Sequence, residues 1–318
     1  MNKFDLIRAD FLNDFEKIQN LDGPSYLYEP IKYFVQSPGK RIRPVIVLFL
    51  SDLFKNNKSD AMNGALGVEL LHNFTLVHDD IMDEDDLRHN IMTIHKKWDN
   101  AHAVLSGDGL GALGPIFIAK INYNTLPILV RYHEVILEIC EGQAYDMQFE
   151  KQENVSVEKY LLMSQKKTGS LFEFCFEIPS YLSKDHIKYL ELLKKIGRNV
   201  GIIFQIQDDV LEISSNNKNM GKGTDSDIRR NKKTILSCIA SEDDKKKWNA
   251  FIKSIENMNV INKKKEFKKY LTENRIDIKA KKILDLQISN CNNLISELPD
   301  DIQEGVNELI DYILNRKN

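Results

Sequence analysis

Apolar positions recur at steps of three and four along nearly the whole chain. Phe4, Ile7, Phe11, Phe15 and Ile18 do so over residues 4–20, and Tyr160, Met163, Leu171 and Phe174 over residues 157–176, which predicts amphipathic helices there. Period-two alternation, the mark of a half-buried strand, is scarce. Short groups rich in glycine and proline, LDGPS (21–25), SPGK (37–40) and SGDGLGALGP (106–115), read as turns between helices. Residues 241–282 are dense in lysine and acid but keep Trp248, Phe251 and Ile255, so they read as solvated helices rather than a linker. No composition break divides the chain. The expectation is an all-α fold of one domain over residues 1–318.

Two stretches interrupt the apolar pattern with acid. In LVHDDIMDEDD (76–86), Asp79 and Asp83 are four apart and project within about 40° of each other on a helix, with Asp80 beside them. His72 falls on the same stripe within roughly 20°. Leu70, Leu71, Phe74, Leu76, Val77, Ile81 and Met82 make the rest of that helix apolar, so it must be largely buried. Buried carboxylates need compensation, either from Lys and Arg or from hard divalent cations such as Mg²⁺. One such motif leaves both readings open. FQIQDDVLEI (204–213) then repeats the arrangement with Asp208, Asp209 and Glu212 at i, i+1 and i+4, and two copies favour six acids converging on one cavity. Near these motifs stand Lys40, Arg41 and Arg43, Arg88, Lys167, Lys222 and Lys232, a set suited to a diphosphate neutralised by metal on one side and by cations on the other.

Composition sets the surroundings. A net charge of −3 gives no electrostatic case for nucleic acid. The four cysteines, Cys140, Cys175, Cys238 and Cys291, have neither metal-finger nor CxxC spacing and read as buried thiols in a reducing compartment. The amphipathic N-terminus carries acids throughout and is no signal peptide, and no transmembrane segment is expected. A cytoplasmic protein follows.

Taken in order, GKRIRP (39–44), ELLHNFTLVHDDIMDEDDLR (69–88), HKKW (95–98), SGDGL (106–110), GQAYD (142–146), KKTGSLF (166–172), FQIQDDVLE (204–212) and GKGTDSDIRRNKKT (221–234) resemble the blocks of the trans-isoprenyl diphosphate synthases, or polyprenyl synthetases. The likeness is greatest to the archaeal-type short-chain enzymes that make geranylgeranyl diphosphate. It implies ten or more helices around a central cavity, a homodimer, and head-to-tail condensation of isopentenyl diphosphate with an allylic diphosphate. By position, Asp79, Asp83 and Asp208 would ligate Mg²⁺, three ions bound together with the diphosphate, and Asp80, Asp209 and Glu212 would complete or support that shell. Arg88, Lys167, Lys222 and Lys232 would contact the allylic diphosphate, and Lys40, Arg43 and His72 would hold isopentenyl diphosphate. The side-chain oxygens of Thr168 and Gln205 would face the allylic cation. Phe74, five residues before Asp79 and about 7.5 Å down the axis, with the small Thr75 beside it, resembles the chain-length floor of a C20 synthase.

The sequence also departs from that family. His89 and Asn90 stand where a second arginine and a glycine are usual, which bears on isopentenyl diphosphate binding, and Glu212 replaces an aspartate. Farnesyl diphosphate synthase (C15) and a noncatalytic subunit of a heteromeric synthase remain as alternatives, as does a terpene cyclase or squalene-type enzyme.

Overall fold

The computed structural model describes residues 2–214 and 232–314, with side-chain surroundings given to residue 211 and from 232 onward. Fifteen α-helices follow in chain order among those residues: α1 Lys3–Phe15, α2 Ser25–Val35, α3 Ile42–Leu53, α4 Lys58–Met82, α5 Ile94–Lys97, α6 Asn100–Ile118, α7 Thr125–Glu150, α8 Val157–Ser164, α9 Ser170–Tyr181, α10 Leu190–Ser214, α11 Ile235–Asp243, α12 Lys245–Ile255, α13 Val260–Glu273, α14 Ile276–Ile295 and α15 Asp300–Leu314. The expected all-α class holds. The extended pairing among the described residues is a hairpin of β1 Leu87–Arg88 and β2 Ile91–Met92.

The helix α4 packs against α6, α3 and α9, and α10 packs against α9 and α14. Apolar residues of α1 to α7, α9, α10, α14 and α15 form one core, while α8, α11 to α14 and the far side of α10 close over a second around Trp248. Leu193, Ile196, Val200 and Ile203 of α10 belong to the first, Ile202 and Ile206 to the second, so this helix is the wall between them. The second acidic motif sits at the end of that wall.

SGDGLGALGP does not form a turn but runs through the middle of α6. Its glycines are where other elements come close. A Cβ on Gly107 would lie 2.2 Å from His78 Nε2, one on Gly111 3.2 Å from the Phe74 ring, and one on Gly114 1.9 Å from the Tyr132 hydroxyl. Close packing of α4 and α7 on α6 outweighs the roughly 1 kcal/mol that each glycine costs a helix. The opposite side of α6 is open in the single chain. There Leu105 and Ile116 are exposed, with Val104 exposed nearer the glycine seam, and along α7 so are Leu126, Val130, Leu137 and Met147. Among the described helices α6 is long and apolar enough to cross a membrane by length and composition alone, a property it shares with core helices, and its glycine face is packed within the fold. Cys140 lies on this open stripe of α7 and is exposed, not buried as expected, whereas Cys175, Cys238 and Cys291 are buried. Its spacing from Val130 and Leu137 puts it on the outward face.

Candidate active site

Asp79 and Asp80 occupy the last turn of α4 and Asp83 caps it. Asp80, 1% exposed, accepts a hydrogen bond of 2.8 Å from Arg88 Nε and a second from Arg88 Nη2. Burial would lower the guanidinium's pKa, but Asp80, then Asp85 and Asp79, outweigh it and raise it. The arginine comes from the hairpin, whose two-residue turn His89–Asn90 has positive φ at both positions (51° and 64°), as a type I′ turn requires. A cation is thus folded back onto the first acidic helix.

On α10, Asp209 is held from three directions. Its Oδ2 accepts from the Tyr160 hydroxyl (2.7 Å) and the Ile235 backbone N–H (2.9 Å), and its Oδ1 accepts from Gln205 Nε2 (2.9 Å). Burial first, then the Asp209 charge, raises the Tyr160 pKa and keeps its hydroxyl protonated as a donor. Asp208, one residue earlier and about 100° round the helix, is half-buried. Lys222 lies outside the described residues, as does the side chain of Glu212.

A chain of polar contacts joins the two motifs. Lys232 Nζ stands 2.6 Å from Asp83 Oδ2 and 3.9 Å from Asp146 Oδ2, and Lys167 Nζ donates to that same Asp146 oxygen at 2.6 Å. Beside Lys167, Thr168 Oγ1 donates to Gln205 Oε1 at 2.9 Å. Since Gln205 spends its amide N–H on Asp209, its oxygen is turned toward Thr168. Burial pulls the Lys167 pKa down, but Asp146, then Asp79 and Asp83, raise it overall while Lys232 opposes them. The ammonium therefore feels Asp79 and Asp83 of the first motif.

Lys167 and Thr168 are presented by a π-helical turn, Gln165–Gly169, between α8 and α9. Such bulges re-aim side chains and recur at functional sites. Two glycines fit the turn into the fold: a Cβ on Gly142 would be 2.3 Å from the Lys167 backbone nitrogen, and one on Gly201 2.6 Å from Gly169 Cα. Asp146 is the site residue that the sequence reading did not single out. It stood in the GQAYD block, yet only its position between Lys167 and Lys232 reveals its part.

A second cationic corner lies next to the first. Arg43 Nη1 donates to His72 Nε2 at 3.0 Å, and its guanidinium lies 4.8 Å from the centre of the Phe172 ring. Burial, followed by Arg43, His89, Arg41 and Arg88, holds His72 well below the usual histidine range, so it is neutral. Arg41 is turned inward, to Glu69 (2.7 Å) and to the Val35 and Ser37 carbonyls, while Lys40 is exposed on the loop. Phe74 packs edge-on to the His78 ring (4.8 Å between centres), and Thr75 spends its hydroxyl on the His72 carbonyl.

The donors Asp79, Asp83 and Asp208 are hard oxygens of the kind Mg²⁺ takes, and an ammonium already rests on Asp83. Among the described residues no three His, Cys, Asp or Glu side chains close on one point, so an ion here would take further oxygens from water and ligand. The donor set fits such a cation. Both sequence readings of the acidic helix have a counterpart: Asp80 is ion-paired with Arg88, while Asp79 and Asp83 border the lysines.

The polyprenyl synthetase family model matches residues 24–273. The chain is 36% identical over 223 residues to a geranylgeranyl diphosphate synthase of Methanosarcina mazei, covering 69% of this chain and 68% of that one. It is 38% identical over 237 residues to a short chain isoprenyl diphosphate synthase of Methanocaldococcus jannaschii, covering 71% of each. Relatives named geranylfarnesyl diphosphate synthase also match. The fold superposes on the crystal structure of a geranylgeranyl pyrophosphate synthetase from Pyrococcus horikoshii with a TM-score of 0.84, at 32% identity over 99% of this chain and 98% of that one. Motif order, helical frame and these likenesses agree: the chain belongs to the polyprenyl synthetase family.

Proposed function

We propose that the chain condenses isopentenyl diphosphate with an allylic diphosphate, head to tail, and releases geranylgeranyl diphosphate (C20). The observation that carries this reading is the contact chain Asp83–Lys232–Asp146–Lys167, with Thr168–Gln205–Asp209 beside it, which ties two acidic helix ends to one set of cations. Asp79, Asp83 and Asp208 would hold Mg²⁺, supported by Asp80, Asp209 and Glu212, and the bound ions would stabilise negative charge growing on the leaving diphosphate. Arg88, Lys167, Lys222 and Lys232 contact the same leaving group. Lys40, Arg43 and neutral His72 hold the diphosphate of isopentenyl diphosphate.

The allylic C–O bond breaks, the isopentenyl double bond attacks the allylic carbon, and the released diphosphate takes the proton that restores a double bond. The chain's part is to orient and shield. Asp209 fixes the Gln205 amide so that its oxygen and that of Thr168 share one face toward the positive carbon. Phe74, wedged between α4 and α6 near His78, closes the space below the first acidic motif and limits chain growth. The uncovered stripe of α6 and α7 is the homodimer face in this reading. The protein works in the cytoplasm, consistent with four unpaired cysteines.

Incubating the purified chain with labelled isopentenyl diphosphate, an allylic diphosphate and Mg²⁺ tests the proposal. A linear C20 diphosphate is expected, and Phe74→Ala should lengthen it. A C15 product would overturn the length assignment, a hydrocarbon would overturn the reaction type, and turnover only with added partner would mark a noncatalytic subunit.

A further inference from the structure

Residues 241–282 hold thirteen Lys and Arg against seven Asp and Glu, an excess of six positive charges in a chain whose net charge is −3. The site described above uses none of them. Most lie on α12, α13 and the start of α14. Phe267 and Tyr270 of α13 pack on Trp248 and Phe251 of α12, and α13 also packs on α14, so it lies between the two. Its other side is turned to solvent. There Ile261, Lys265 and Lys269, four residues apart, form one exposed row along the helix. Ile261 is 80% exposed, the most exposed large apolar side chain among the described residues, and Met258 in the turn before α13 is exposed as well. Lys246 and Lys253 are exposed on α12, and Ile278, Lys282 and Leu286 repeat the row on α14. By contrast, Lys247 and Lys279 fold back onto Asn274 and Asp243. Lys269 stands 4.0 Å from Glu273 with both side chains more than half exposed, a pair too weak to cancel the row's charge.

We propose that this face, centred on α13, docks the protein on an anionic lipid surface, with lysine ammoniums against headgroup phosphates and Ile261 and Met258 entering the boundary with the acyl chains. Lysines clustered on one side of a helix are drawn to anionic headgroups. An aliphatic side chain standing among them gains only where it leaves water. The chemistry favours lipid over nucleic acid. The rings of Trp248, Phe251, Phe267 and Tyr270 are turned upon one another, so the outer row of α13 offers no aromatic to bases, and its cations are lysine point charges rather than planar arginine forks. Outside residues 241–282 acids exceed bases by nine, so a negative surface repels the rest of the chain and orients the molecule with this face toward the lipid. The inference does not depend on the reaction proposed above.

The test is co-sedimentation of the full chain with phosphatidylcholine vesicles made with and without phosphatidylglycerol. Binding should require the anionic lipid and should vanish as salt approaches about 1 M, where charges are screened within about 3 Å. Removing two lysines with Lys265→Ala/Lys269→Ala should weaken partitioning about 25-fold, each lysine near such a surface being worth about fivefold. Ile261→Ser should weaken it about tenfold at unchanged charge. All these side chains are exposed, so thermal midpoints should match the wild type. Lys17→Ala/Lys58→Ala removes the same charge from exposed positions on another face and should bind as the wild type does. No binding, equal binding to neutral vesicles, or full binding by the α13 lysine variant overturns the proposal, as does equal weakening by the Lys17 and Lys58 control. Wild-type binding by Ile261→Ser overturns apolar insertion, and tighter capture of a DNA duplex than of vesicles would give the face to nucleic acid instead. A chain that makes no prenyl product in solution would overturn the synthase reading and leave this one standing.

Discussion

At the residue scale, the two acidic motifs divide their labour by position within a turn. In each pair the second aspartate, Asp80 or Asp209, is buried and bound to the frame, while the first, Asp79 or Asp208, is half-buried on another face. The pairs were legible in the sequence because acid between apolar neighbours is conspicuous. Their division was not, since the partners Arg88, Tyr160 and Ile235 are set by how the chain returns. Tyr160→Phe removes one donor from a buried carboxylate and should cost about 1–3 kcal/mol in a urea titration. Equal stability would mean that Asp209 does not depend on that hydroxyl. Asp83→Asn removes a charge that faces Lys232, and kcat should fall about 100- to 1000-fold, as when one charge-stabilising group is lost. A drop below tenfold in steady-state assays would take Asp83 out of the site.

At the element scale, what the sequence concealed was close packing. Glycines 107, 111 and 114 looked like a turn because local propensity is all a sequence offers there, whereas they are the seam between α4, α6 and α7. A second hidden joint lies under the π turn. Arg131 of α7 donates to Glu177 (2.9 Å) and Glu173 (2.9 Å) of α9, partners more than 40 residues away, and Arg198 of α10 also reaches Glu173. Burial, opposed by Arg131 and reinforced by Glu173, pushes Glu177 up to about 7. A carboxyl raised this far favours the folded state while protonated, below the unfolded value of about 4.3, and that contribution is lost as pH rises through about 7. Between pH 5 and 7 the wild type should therefore lose on the order of 2 kcal/mol relative to Glu177→Gln. Parallel thermal midpoints for the two proteins across that interval would contradict the assignment.

At the scale of the whole molecule, helical periodicity made the all-α class readable, and motif order made the family readable. The open apolar stripe was not readable, because exposure depends on which side of α6 and α7 the rest of the chain covers. Leu137, 62% exposed on that stripe, is the place to test it. Leu137→Asp should convert a dimer to monomer in sedimentation velocity, and an unchanged assembly would place the interface elsewhere. We further propose that residues 1–318 fold as one domain, because α10 and Leu284 contribute to both apolar clusters. One calorimetric transition is the expected outcome, and two separable ones would divide the chain.

The central claim is that carboxylates from α4 and α10 share the ions of one diphosphate. A crystal structure of the chain soaked with Mn²⁺ and a non-hydrolysable allylic thiolodiphosphate would locate those ions by anomalous scattering. Peaks bridging the ligand to Asp79, Asp83 and Asp208, with Lys232 moved from Asp83 onto the phosphate, are the predicted result. Ions bound elsewhere, or a ligand seated while Lys232 stays on Asp83 and Asp208 meets no ion, would contradict it.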